Sequence, residues 1–74
     1  MTLTILLDTI DKVKSFTNTI FRFTGDADLV AGRYTVDAKS IMGIFSLDLS
    51  KPMELHLSVT PEAALLAELK KYCA

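Results

Sequence analysis

Met53-Glu54-Leu55-His56-Leu57-Ser58-Val59 alternates apolar and polar side chains without a break. A period of two is the signature of a β-strand with one buried face. Met53, Leu55, Leu57 and Val59 are therefore expected inward, and Glu54, His56 and Ser58 outward. Downstream, Thr60-Pro61-Glu62 reads as a helix start with proline at the first helical position. The helix that follows, Ala63 to Tyr72, places Leu65, Leu66, Leu69 and Tyr72 on its packing side. Upstream, Ser50-Lys51-Pro52 is a loop, and Ser40 looks like the N-cap of a short helix running from Ile41 to Asp48.

Further back, Asp28 to Ala31 and Arg33 to Ala38 are two β-rich runs around Gly32, the pattern of a hairpin. Ile10, Val13, Phe16, Ile20 and Phe23 recur every three or four residues, which makes a single apolar helical stripe. Asp8 or Thr9 caps that helix, Asp11 sits in its first turn, and Thr24-Gly25-Asp26 ends it. Thr2 to Leu7 is a first strand, with Leu3, Ile5 and Leu7 inward. The order is thus β-α-β-β-α-β-α. One-faced strands and one-striped helices satisfy each other in two layers, so an α+β domain is expected: a mostly antiparallel four-stranded sheet with helices on one face.

The 74 residues make one domain, residues 1–74, with no room for a second core. Half are apolar, which suits a packed globule. A single cysteine, Cys73, excludes an intramolecular disulfide. With a net charge of −1 and the cations scattered among acids, nucleic acid is not an expected partner. Met-Thr-Leu-Thr-Ile-Leu-Leu-Asp is unlike a secretory signal, and no apolar run is long enough to span a bilayer, so a cytoplasmic protein without membrane contact is expected.

Residues suited to catalysis are scarce. His56 has Glu54 and Ser58 on its own face, but an open strand face offers neither pocket nor oxyanion hole, so the three read as solvated. Cys73 has no base beside it in sequence and reads as an incidental thiol. Asp26, Asp28 and Asp37 flank the hairpin without the spacing of a cation-binding loop. No glycine pattern resembles a phosphate loop, and neither metal nor cofactor is expected. The chain reads as a binding protein and not an enzyme.

One segment stands apart. Val36-Asp37-Ala38-Lys39-Ser40-Ile41-Met42-Gly43-Ile44-Phe45-Ser46-Leu47 builds a helix with apolar residues all round. Two turns on a surface cannot bury every side, so some of Ile41, Met42, Ile44, Phe45 and Leu47 are expected to face a partner. Ser40 stands where free backbone N–H groups and the helix dipole would hold a phosphate.

Lys39-Ser40-Ile41-Met42-Gly43-Ile44-Phe45-Ser46-Leu47 resembles the regulatory-serine segment of HPr, the histidine-containing phosphocarrier of the bacterial sugar phosphotransferase system. The β-α-β-β-α-β-α order is that of the same family, so the resemblance spans essentially the whole chain. It implies an open-faced β-sandwich, with Ser40 as the residue phosphorylated by HPr kinase. It also implies Lys39, Ile41, Met42 and Phe45 as the partner-binding surface. The family's Gly-Ile-His-Ala-Arg-Pro active-site stretch corresponds here to Thr9-Ile10-Asp11-Lys12-Val13-Lys14. Asp11 stands at the histidine's place and Val13 at the arginine's. The chain is therefore similar to catabolite-repression HPr paralogues of Gram-positive bacteria, which keep the serine and lack the histidine. Its expected partners are HPr kinase, a transcriptional regulator or a metabolic enzyme. Two other readings stay open: a carrier using Asp11 as an acyl-phosphate acceptor, and a structural domain in which Ile41, Met42 and Phe45 meet their own copies in a homodimer.

Overall fold

A computed structural model describes all residues 1–74. Its strands are β1 (Thr2–Ile5), β2 (Ala27–Ala31), β3 (Tyr34–Asp37) and β4 (Met53–Leu57). Its helices are α1 (Ile10–Ile20), α2 (Ile41–Phe45) and α3 (Ala63–Leu69), followed by a 3-10 turn, Lys70–Tyr72. The strands form one sheet in the order β1-β4-β2-β3, and every neighbouring pair is antiparallel. This is the expected α+β architecture.

β4 lies between β1 and β2, and its alternation sets which of its faces is buried. Met53, Leu55 and Leu57 are buried, opposite Ile5 and Leu3 of β1 and Leu29 and Ala27 of β2. Above them the helices lay down Val13, Phe16, Ile20, Ile44, Leu65 and Leu69, closing one continuous core. The other face of the sheet stays polar, as a half-solvated antiparallel sheet should. Between β2 and β3, Gly32 has φ 60° while Arg33 has a negative φ, the two-residue turn that demands glycine first.

The elements are shorter than the sequence pattern suggests, each for a local reason. β1 stops at Ile5, not Leu7: its partner β4 starts just after Pro52, which has no N–H to extend the ladder. Leu6 N–H turns instead to the Tyr72 carbonyl (2.9 Å), and Leu7 is buried all the same. Ile10 is 61% exposed at the start of α1 and does not join the stripe, while Thr17 does. The Thr17 hydroxyl donates to the Val13 and Lys14 carbonyls, which makes its burial tolerable. α1 ends at Ile20; the chain then turns so that Phe21 is exposed and Phe23 buried.

α2 ends at Phe45 and not at Asp48. Ser46 donates to the Gly43 carbonyl through both N–H (3.1 Å) and hydroxyl (2.5 Å), and Leu47 turns down into the core. β4 ends at Leu57 because Ser58 closes on the Gly25–Asp26 loop. Its N–H reaches the Asp26 carbonyl and its hydroxyl takes the Asp26 N–H, both at 2.9 Å. Val59 is consequently 58% exposed, not inward. The loop fits only because residue 25 is glycine: a Cβ there would sit 2.6 Å from Ser58 Oγ and 2.9 Å from the Phe23 ring. Pro61 is buried but precedes the N-cap Glu62, so it lies two residues before the first helical position expected for it.

Candidate functional site

α2 is a five-residue helix held at both ends by serines. At its start Ser40 is exposed and extended, and its hydroxyl accepts from Gly43 N–H at 3.2 Å. At its end is the Ser46 pair of bonds to Gly43. Between them Ile44 is fully buried and Ile41 half-buried against the core, which fixes the helix on the sheet edge. Rotation then leaves Met42 (77% exposed) and Phe45 (40% exposed) outward. An exposed methionine and phenylalanine within one turn of an exposed serine hydroxyl form an apolar patch with a modifiable polar neighbour.

The segment leading into α2 is pinned by two residues. Asp37 accepts from Lys39 N–H at 2.9 Å through its carboxylate and from Ser40 N–H at 3.0 Å through its carbonyl, an Asx turn that aims the chain into the helix. The signal was present in the sequence as an aspartate two residues before Lys39. The Lys39 ammonium donates to the carbonyls of Phe23 (2.6 Å) and Gly25 (3.2 Å) and lies 6.0 Å from the Phe23 ring centroid. Its charge is thus engaged with the loop that follows α1, and it acts on Ser40 by anchoring the backbone. Lys39→Met is expected to lower stability by roughly 1–3 kcal/mol, the worth of charged hydrogen bonds to part-buried carbonyls, read as an earlier urea midpoint.

At the other candidate position, Thr9 and not Asp8 caps α1, accepting from Lys12 N–H at 3.1 Å. Asp11 follows in the first turn, exposed, and Val13 is fully buried in the core. The Lys12 ammonium instead meets Asp8 at 2.8 Å and holds that carboxyl below its usual range. Asp11 therefore faces water near a helix N-terminus, where its charge complements the dipole. Val13, as a core residue, presents no functional group at the surface.

His56 lies on the open face of the sheet, 3.4 Å from Glu54 and in register with Thr2 and Asp28. Ser58 does not join it, since its hydroxyl is bound to Asp26 N–H. Asp28 and Asp37 stand opposite each other near the ends of β2 and β3. No group of three or more His, Cys, Asp or Glu side chains is arranged to hold a metal. Cys73 is exposed, and its backbone bridges to Ile5. No helix is long and apolar enough to cross a membrane.

The family model described as "PTS HPr component phosphorylation site" matches residues 12–74. That span takes in the whole Ser40 segment and begins one residue after Asp11. Among solved structures, the chain is similar to the crystal structure of HPr-C-His from Thermoanaerobacter tengcongensis. The two are 26% identical with a TM-score of 0.75, over 96% of this chain and 85% of that one. No curated protein sequence matches.

Proposed function

Because the chain belongs to the HPr family, whose members are phosphocarriers of the sugar phosphotransferase system and not enzymes, we infer that it is a regulatory, protein-binding member of that system. It docks through α2, under control of Ser40, and is not itself a phosphohistidine carrier. The observation that carries this reading is the exposed Ser40 hydroxyl at the cap of a helix whose Met42 and Phe45 face solvent. A phosphate on Ser40 gains the Gly43 N–H donor and the free amides of the first turn, so modification leaves the fold intact. It also sets roughly two negative charges beside the apolar patch, which creates a site for a basic-rimmed partner and repels an acidic one.

The loss of carrier chemistry is supported by the residues at the start of α1. The family's phospho-accepting histidine has no counterpart there, and the chain's single histidine, His56, belongs to β4. HPr kinase, a transcriptional regulator or a metabolic enzyme in the cytoplasm are the partners this chemistry fits. Treatment with a Gram-positive HPr kinase and ATP is expected to add one phosphate to the peptide containing Ser40. An unmodified peptide, where a standard HPr is fully converted, would reduce Ser40 to a helix cap.

A further inference from the structure

A concavity opens between the β2–β3 turn and the chain leaving α2. Its walls are the turn residue Arg33 and Tyr34 at the start of β3 on one side and Leu47, Asp48, Lys51 and Pro52 on the other. At about 420 Å³ it is within the size range of small-molecule sites. Two cations line it, and neither is neutralised by a contact: the ion pairs of the chain use Lys12, Arg22 and His56. The one carboxylate in the groove, Asp48, is held by Ser50. Its Oδ1 accepts from the Ser50 N–H (3.1 Å) and hydroxyl (2.6 Å), while Oδ2 makes no hydrogen bond. Those same bonds, with Lys51 nearby, keep the carboxyl ionised below its usual range.

Net positive charge on two flexible arms, one oriented and free carboxylate oxygen, and an aliphatic wall from Leu47 and Pro52 together describe a ligand. We propose that this groove binds a small hydroxylated anion, its acidic group taken by Arg33 and Lys51 and a hydroxyl donated to Asp48 Oδ2. The pairing is what each group's donors and acceptors require: guanidinium and ammonium only donate, and an ionised carboxylate only accepts. This site goes beyond docking at α2, since it uses neither Ser40 nor the Met42–Phe45 patch.

Titration of the ¹⁵N-labelled protein with glycerol 3-phosphate, glycerate and inorganic phosphate, followed by amide chemical shifts, tests it. Saturable shifts are expected at Gly32, Tyr34, Asp48 and Lys51. The double substitution Arg33→Gln, Lys51→Gln should weaken binding roughly tenfold or more, with thermal stability unchanged, because both residues are exposed. Tighter binding of glycerol 3-phosphate than of glycerate assigns a phosphate ester as the natural acid, and the reverse order a carboxylate; either supports the site. Absence of saturable shifts, equal binding by the double variant, or shifts spread equally over Lys12, Lys14, Lys70 and Lys71 would overturn it. Inorganic phosphate binding as tightly as glycerol 3-phosphate would overturn the role given to Asp48.

Discussion

Replacement of Phe16 by alanine is expected to cost about 3–5 kcal/mol, which for a domain of this size is most of its stability. Phe16 is fully buried at the centre of α1. Its ring meets Tyr72 edge to face, with centroids 5.6 Å apart and planes at 85°. Tyr72 in turn shares a hydrogen bond of 2.5 Å with the Ser15 hydroxyl and passes its carbonyl to Leu6 N–H. Phe16 therefore ties the helix layer to the chain end that covers the free edge of β1. Its removal opens a cavity and loosens that clasp together. At roughly 4–8 °C per kcal/mol for a domain of this length, the melting midpoint should fall by some 12 °C or more. Phe21→Ala is the matched control, since Phe21 is 63% exposed and should change stability by no more than about 0.5 kcal/mol. Equal midpoints for the two variants in a circular-dichroism melt would contradict the core described above.

Phe45→Ala is expected to act on binding and not on folding. The ring is 40% exposed, while its neighbour Ile44 supplies the anchor to the core. An aromatic anchor at the centre of an interface is worth about 2 kcal/mol or more on truncation, which is roughly thirtyfold. Of the proposed partners, HPr kinase offers a direct readout. Its kcat/KM for phosphorylating Ser40 should fall by about that factor, mostly through KM if the contact is made equally in the ground and transition states. The thermal midpoint should shift little. An unchanged kcat/KM would place docking elsewhere on the surface, whereas a large fall in melting temperature would make Phe45 a core residue.

The parts of this molecule visible in the sequence are those governed by local periodicity. Met53, Leu55 and Leu57 announce an inward face because alternation allows a strand no other arrangement, and the cap at Ser40 follows from one hydroxyl before a helical run. That the α2 segment exposes part of its apolar surface was legible, because two turns cannot bury every side; which residues face out was not, and Ile41, expected on the same surface as Met42 and Phe45, is half-buried against the core. The ends of β1 and β4 were not legible, because long-range partners set them. β4 stops where Ser58 meets Asp26, and β1 stops where Leu6 meets Tyr72. Neither contact leaves a trace in the neighbouring residues. The same holds for Lys39, whose position before Ser40 suggests a surface cation, although its ammonium is bound to the loop that follows α1. The groove of Arg33 and Lys51 is likewise assembled by the hairpin and the loop before β4, and no spacing in the sequence foretells it.

The charge distribution at the start of α1 bears directly on whether phosphate moves through this protein. An exposed carboxylate on a helix N-terminus is a weak acceptor, and acyl phosphates are usually made with a bound divalent ion held by further carboxylates. Asp8 is the nearest such group, and it is paired with Lys12. The most direct measurement is incubation of the intact protein with enzyme I and labelled phosphoenolpyruvate, beside a histidine-containing HPr as positive control. The protein should remain unlabelled while the control is fully charged. Stable incorporation of label, whether on Asp11 or elsewhere, would contradict the reading of this chain as an HPr that binds and does not carry.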